Sequence, residues 1–71
     1  MKIKYKYIEF SPFAETIWYI ENHKSGESLG ILEYNKKWKE WGLSPDNDTG
    51  WTAQCLLDVI DFINQLKKEQ Q

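Results

Sequence analysis

From Trp51 to Leu66 the apolar positions of the chain recur at helical spacing. Cys55, Leu56, Val59, Ile60, Phe62, Ile63 and Leu66 share one broad face, Gln54, Asp58, Asp61, Asn64 and Gln65 share the other, and only Leu57 is out of place. Thr52 stands just before this run. Its side-chain oxygen can accept from the free N–H of Gln54 or Cys55, and neither Gly nor Pro follows, so the pattern predicts a helix capped by Thr52. Trp51 and Leu56 then take the two positions that pack together in a hydrophobic staple. Lys67 and Lys68 lie where the helix end is partly negative, and Gln70 and Gln71 are expected to fray.

Ahead of the helix the period changes to two. Lys2, Lys4 and Lys6 alternate with Ile3, Tyr5 and Tyr7, the mark of a strand with one basic and one apolar face. Ile8 and Phe10 then fall on the wrong parity, which implies a two-sided strand or a bulge near Tyr7 and Ile8. The segment 11–15, with Pro12, is expected to break the strand. Further strands are predicted over 16–21, 29–34 and 38–43, the last ending at Pro45, with a hairpin loop over 22–28 and a polar turn over 46–50. The whole reads as one α+β domain over residues 1–71. Its small antiparallel sheet has three to four strands in the order ββββα, with one C-terminal helix packed on one face.

Composition bounds this picture. A chain of 71 residues has one small core and buries only about 60% of its unfolded surface, so stability leans on large side chains. The four Trp and the 15% aromatic content supply them. One cysteine excludes an internal disulfide. With no signal-peptide pattern and no apolar run of bilayer length, the expected location is cytoplasmic, without membrane contact, and the Asn47-Asp48-Thr49 sequon is then without consequence.

The net charge is −2, and all nine basic residues are Lys. Sequence-specific reading of DNA leans on the guanidinium fork, so the absence of Arg argues against it. Lys2, Lys4, Lys6, Lys36, Lys37 and Lys39, with Tyr5, Tyr7, Trp38 or Trp41 to stack on bases, leave room for weak, nonspecific nucleic-acid binding. The same lysines also serve to keep strand edges soluble.

Candidate chemistry is sparse. Cys55 falls in the first helical turn, where the dipole lowers a thiol pKa, and His23 is the one imidazole; yet Cys55 sits on the apolar face, where a free cysteine is a small buried hydrophobe. Asp58 and Asp61 read as solvated polar-face residues. The segment 46–50 resembles a calcium loop but has Gly50 one position early and Leu57 where a bidentate Glu is required. No catalytic residue, metal or cofactor is expected, and the chain reads as a non-enzymatic binding protein. One helix shields one face of a sheet, so some aromatics need other cover. Trp51 goes to the staple and Trp38 to the core. Trp18, Tyr19, Tyr34 and Trp41 remain as the binding surface for a protein partner or a second copy.

Leu29-Gly30, Leu32, Tyr34, Trp38, Trp41, Leu43 and Pro45, followed by Thr52, Cys55-Leu56, Ile60, Phe62-Ile63 and Leu66, resemble a family of small uncharacterised proteins of bacteria and their phages. The likeness spans about residues 17–66. It differs at Lys36, Lys37 and Lys39, where Arg is common, and at Gly42 and Ser44, where apolar residues often sit. The resemblance implies a sheet-plus-helix fold and a phage or mobile-element setting. In that setting an inhibitor or modulator of a host or defence protein is the concrete expectation.

Overall fold

A computed structural model describes residues 1–69; Gln70 and Gln71, expected to fray, lie outside the described residues. Strands β1 (Ile8–Ala14), β2 (Ile17–Asn22), β3 (Ser28–Asn35) and β4 (Glu40–Pro45) precede one helix, α1 (Ala53–Glu69). They form a single antiparallel sheet in the order β1-β2-β3-β4, the ββββα meander that the pattern predicts. Two of its three hairpins open on asparagine. The Asn22 side-chain oxygen accepts from the N–H groups of Lys24 and Ser25, and that of Asn35 accepts from Lys37 and Trp38. Each side chain thereby supplies the bonds that turn the backbone. Where β3 crosses β4, the backbone of Ser44 approaches Gly30 so closely that a Cβ there would lie 2.7 Å from the carbonyl oxygen, which reserves the position for glycine.

The first strand departs from expectation at both ends. Residues 2–7 do not run on into Ile8; the chain reverses, and residues 3–5 return as an arm along the outer edge of β1. Tyr5 N–H donates to the Ile8 carbonyl at 2.8 Å and Phe10 N–H to the Ile3 carbonyl at 2.9 Å. The change of parity at Tyr7 and Ile8 is therefore a turn, neither a two-sided strand nor a bulge. At the other end β1 continues through Pro12, where a break was expected. Phe10 directs its N–H outward, so Pro12, two residues on, sets its missing N–H toward the open edge and costs no bond to β2. The register shift comes only beyond it, between Pro12 and Ala14.

The helix lies across one face of the sheet. Thr52 Oγ1 accepts from Cys55 N–H at 3.2 Å, as expected of the cap. Phe62 stacks on Phe10, with ring centroids 4.0 Å apart, and meets Trp18 edge-on at 4.9 Å. Ile8, Ile20, Leu32, Trp41, Val59 and Leu66 close the core around them. The arm is tied to the same helix. Tyr5 Oη donates to Asp61 Oδ2 at 2.7 Å, and Gln65 Nε2 donates both to Tyr5 Oη and to the Lys2 carbonyl, each at 2.9 Å.

These contacts set the roll of the helix. Its buried line is Cys55, Asp58, Val59, Phe62 and Leu66, rotated by roughly 50° from the face predicted above. Asp58, expected in solvent, is consequently turned inward, and Leu56, Leu57 and Ile60 point out at 42%, 58% and 53% exposure. Leu56 is thus in solvent where the staple required it to pack, while Trp51 packs on the core. No helix among the described residues is long and apolar enough to cross a membrane.

Candidate interaction surface

Strand register divides the sheet cleanly into two faces. Ile8, Phe10, Trp18, Ile20, Leu32, Tyr34, Trp41 and Leu43 face the helix; Glu9, Ser11, Ile17, Tyr19, Glu21, Ile31, Glu33, Gly42 and Ser44 face away. The aromatic surface expected at Trp18, Tyr19, Tyr34 and Trp41 therefore does not come together on the open side. Trp41 is buried, Tyr34 packs edge-on against it at 5.4 Å, and Trp18 packs on Phe62. Tyr19 alone belongs to the open face. Trp38, assigned to the core by the sequence reading, is the most exposed large hydrophobic side chain among the described residues, at 78%. The reason is local. Asn35 closes a turn over 36–39, with Lys39 in the left-handed region at φ 55°, so β4 starts at Glu40 and its alternation sends Trp41 inward.

What the open face does carry is an apolar centre with an acidic border. Phe13, unforeseen by sequence, lies beside Tyr19 with ring centroids 4.9 Å apart, and it is 61% exposed. Ile17 and Ile31 are the half-buried neighbours of Tyr19 on the same face. Glu9 stands directly opposite Glu21, and Glu33 opposite Ile17. Like charges in directly opposed positions weaken a sheet. Ser11 Oγ relieves the pair in part by donating to Glu21 Oε1 at 2.6 Å. None of the four strands contains a lysine; their only charged residues are Glu9, Glu21, Glu33 and Glu40. Glu40 is the one with a cationic neighbour, since Lys67 Nζ lies 2.7 Å from its Oε1. That ammonium, and to a smaller degree the Trp41 backbone N–H, hold the Glu40 carboxyl below the usual carboxylate range.

The lysines named for nucleic-acid contact fall into two separate groups. Lys2, Lys4 and Lys6 lie on the arm outside β1, and Lys36, Lys37 and Lys39 in the β3–β4 turn. Edge strands β1 and β4 are roughly 14 Å apart at about 4.8 Å per strand, so the two groups flank the sheet and share no strand face. Cys55 is a buried free thiol, as its apolar position suggested. Asp58 accepts from Gln54 Nε2 at 2.9 Å through Oδ1, while its Oδ2 and the Trp41 indole N–H have no partner among the described residues. No group of three potential metal ligands and no pocket occurs among the described residues. Comparisons with protein families, with characterised proteins and with solved structures find no match to this chain.

The Phe13–Tyr19 patch had a readable signal. Once Pro12 is accepted on an edge strand, alternation places Glu9 and Ser11 away from the helix, and pairing with β2 brings Tyr19 and Glu21 alongside. Leu57 already fell outside the apolar face of the sequence, but the exposure of Leu56 and Ile60 had no signal, because the apolar arc is wider than the face the sheet can cover.

Proposed function

We propose that this protein acts without catalysis, by docking another protein on the open face of its sheet. The observation that carries this reading is the exposed Phe13–Tyr19 pair, flanked by Ile17 and Ile31 and bordered by Glu9, Glu21 and Glu33. Interfaces favour an aromatic centre with a polar rim, and a border of one charge sign selects a partner surface of the other sign. The partner is accordingly a protein with a basic, partly apolar surface. The phage-like resemblance supports the biological version of the proposal, an inhibitor or modulator of a host or defence protein.

Tyr19→Glu and Phe13→Glu alter side chains already in solvent, so folding should persist while docking fails. A buried aromatic anchor is worth about 2 kcal/mol or more, a loss of ~30-fold in affinity. The test is capture of partners from host extract by the parent chain and by each variant, with melting temperatures measured alongside. A partner held equally by the parent and by both folded variants would refute the assignment of this face.

A further inference from the structure

We infer that β4 and the adjoining side of α1 form a two-fold interface with a second copy of this chain. Two features lie together on that side of the protomer. One is an open strand edge: β1 is lined by the arm, whereas nothing among the described residues pairs with the outer edge of β4. The other is the exposed helix line of Leu56 and Ile60, with Leu57 beside it. Lys67 recurs on this line at helical spacing, and its contact with Glu40 shows that the line overlooks β4. The arm, bound to Asp61 and Gln65, occupies the opposite flank.

The backbone fixes which groups are free. Tyr34 N–H donates toward β2, to the Thr16 carbonyl, and Asp46 N–H donates to the Leu29 carbonyl across the other edge of β3. Alternation then directs Ile31, Glu33 and Asn35 to bond β4 through Ser44, Gly42 and Glu40, leaving the N–H and C=O of Trp41 and Leu43 pointing out. A two-fold axis at Gly42 sets Trp41 opposite Leu43 of the partner subunit, and the reverse. All four outward groups of each copy are then used once the Glu40 carboxylate gives up the Trp41 N–H and keeps Lys67 as its partner, and core-facing side chains meet core-facing side chains. Centring the axis on Leu43 instead opposes Glu40 to Asp46 of the partner subunit and Trp41 to a proline without an N–H. The Gly42 register is therefore favoured over the Leu43 one by charge and by hydrogen bonding. It also carries the helix lines of the two copies toward one another above the joined sheet, where Leu56 and Ile60 gain apolar cover.

The contact is modest in size. Six β4 residues span roughly 20 Å, and sheet plus helix are about as deep, a projected footprint near 400 Å² against the ~800 Å² per partner of a standard interface. A contact of this size is that of a weak, transient dimer, made along the β4 edge rather than across the Phe13–Tyr19 face.

Sedimentation of the full chain up to about 1 mM should show the mass rising from 8.5 kDa toward twice that value. Ile60→Glu, at a side chain already exposed, should weaken dimerisation at least ~10-fold. Gly42→Lys should do the same, because the nearest atom to a Cβ there is 3.9 Å away, so the protomer accepts the side chain while the axis opposes two ammonium groups. Oxidised Gly42→Cys should cross-link between copies, since directly opposed residues of this pair class lie about 4.5 Å apart. A chain that stays at 8.5 kDa throughout overturns the inference. So does a dimer untouched by Ile60→Glu and Gly42→Lys, or one lost in Tyr19→Glu instead, which would seat the second copy on the open face.

Discussion

Replacing Tyr5 by Phe removes one oxygen from the contact that ties the arm to the helix. The residue is 7% exposed and its hydroxyl both donates to Asp61 and accepts from Gln65. A hydrogen bond to a charged group contributes about 1.5–3 kcal/mol. Asp61 is exposed and can rehydrate once the phenol is gone, so the low end applies, near 1.5 kcal/mol, or roughly 6–12 °C in Tm for a domain of this size. Alkaline pH tests the same contact from the other side. Burial, and then the adjacent Asp61, keep the Tyr5 phenol protonated well above its ordinary value of 10.0. At neutral pH the phenol is protonated in both the folded and the unfolded chain and titration contributes nothing. Above pH 10 the unfolded chain releases the proton and the folded one retains it. The folded state then binds more protons, and stability falls as pH rises, by about 1.4 kcal/mol at pH 11. Tyr5→Phe is free of this loss. Urea melts of both proteins should therefore show a gap near 1.5 kcal/mol at pH 7 that closes almost completely by pH 11. Equal stability at pH 7, or a gap that stays constant to pH 11, would refute the argument.

Cys55→Ser should lower stability by about 1–3 kcal/mol by placing a hydroxyl in a buried apolar site, and the native thiol should react with a labelling reagent far more slowly than the unfolded one. Comparable labelling rates in the two states would show the site is open. The two tryptophans of the β3–β4 hairpin should separate sharply. Trp41→Ala costs about 3–5 kcal/mol, read from denaturant midpoints, while Trp38→Ala stays within about 0.5 kcal/mol; similar losses would contradict the inward turn of Trp41.

The meander and its capped helix were legible because they rest on local rules: the Thr52 oxygen, the alternation over 17–21 and 29–34, and turn residues between them. The roll of α1 was not. From Cys55 to Leu66 apolar side chains cover more arc than one sheet contacts, so the choice among them falls to distant groups, the Phe10 ring under Phe62 and the Tyr5 hydroxyl against Asp61. Trp38 and Trp41 were exchanged for a related reason. Parity along β4 depends on where the preceding turn ends, which Asn35 and the left-handed Lys39 decide. On the open face of the sheet Tyr19 was placed and its neighbour Phe13 was missed, because Pro12 suggested a break where an edge strand runs through.

The arm along β1 has a consequence in the language of polymerisation. A sheet protein with two free edges is a bifunctional monomer, and each addition leaves another end to grow. Here residues 3–5 occupy the outward groups of Ile8 and Phe10, and Pro12 takes the next outward position without a donor, so β1 is a blocked end. With β4 alone left reactive the chain is monofunctional, and association by strand pairing terminates at two copies. Deleting residues 1–6 would uncover the outward groups of Ile8 and Phe10 and leave Pro12 as the one remaining block on that edge, at the cost of the Tyr5 contact with the core.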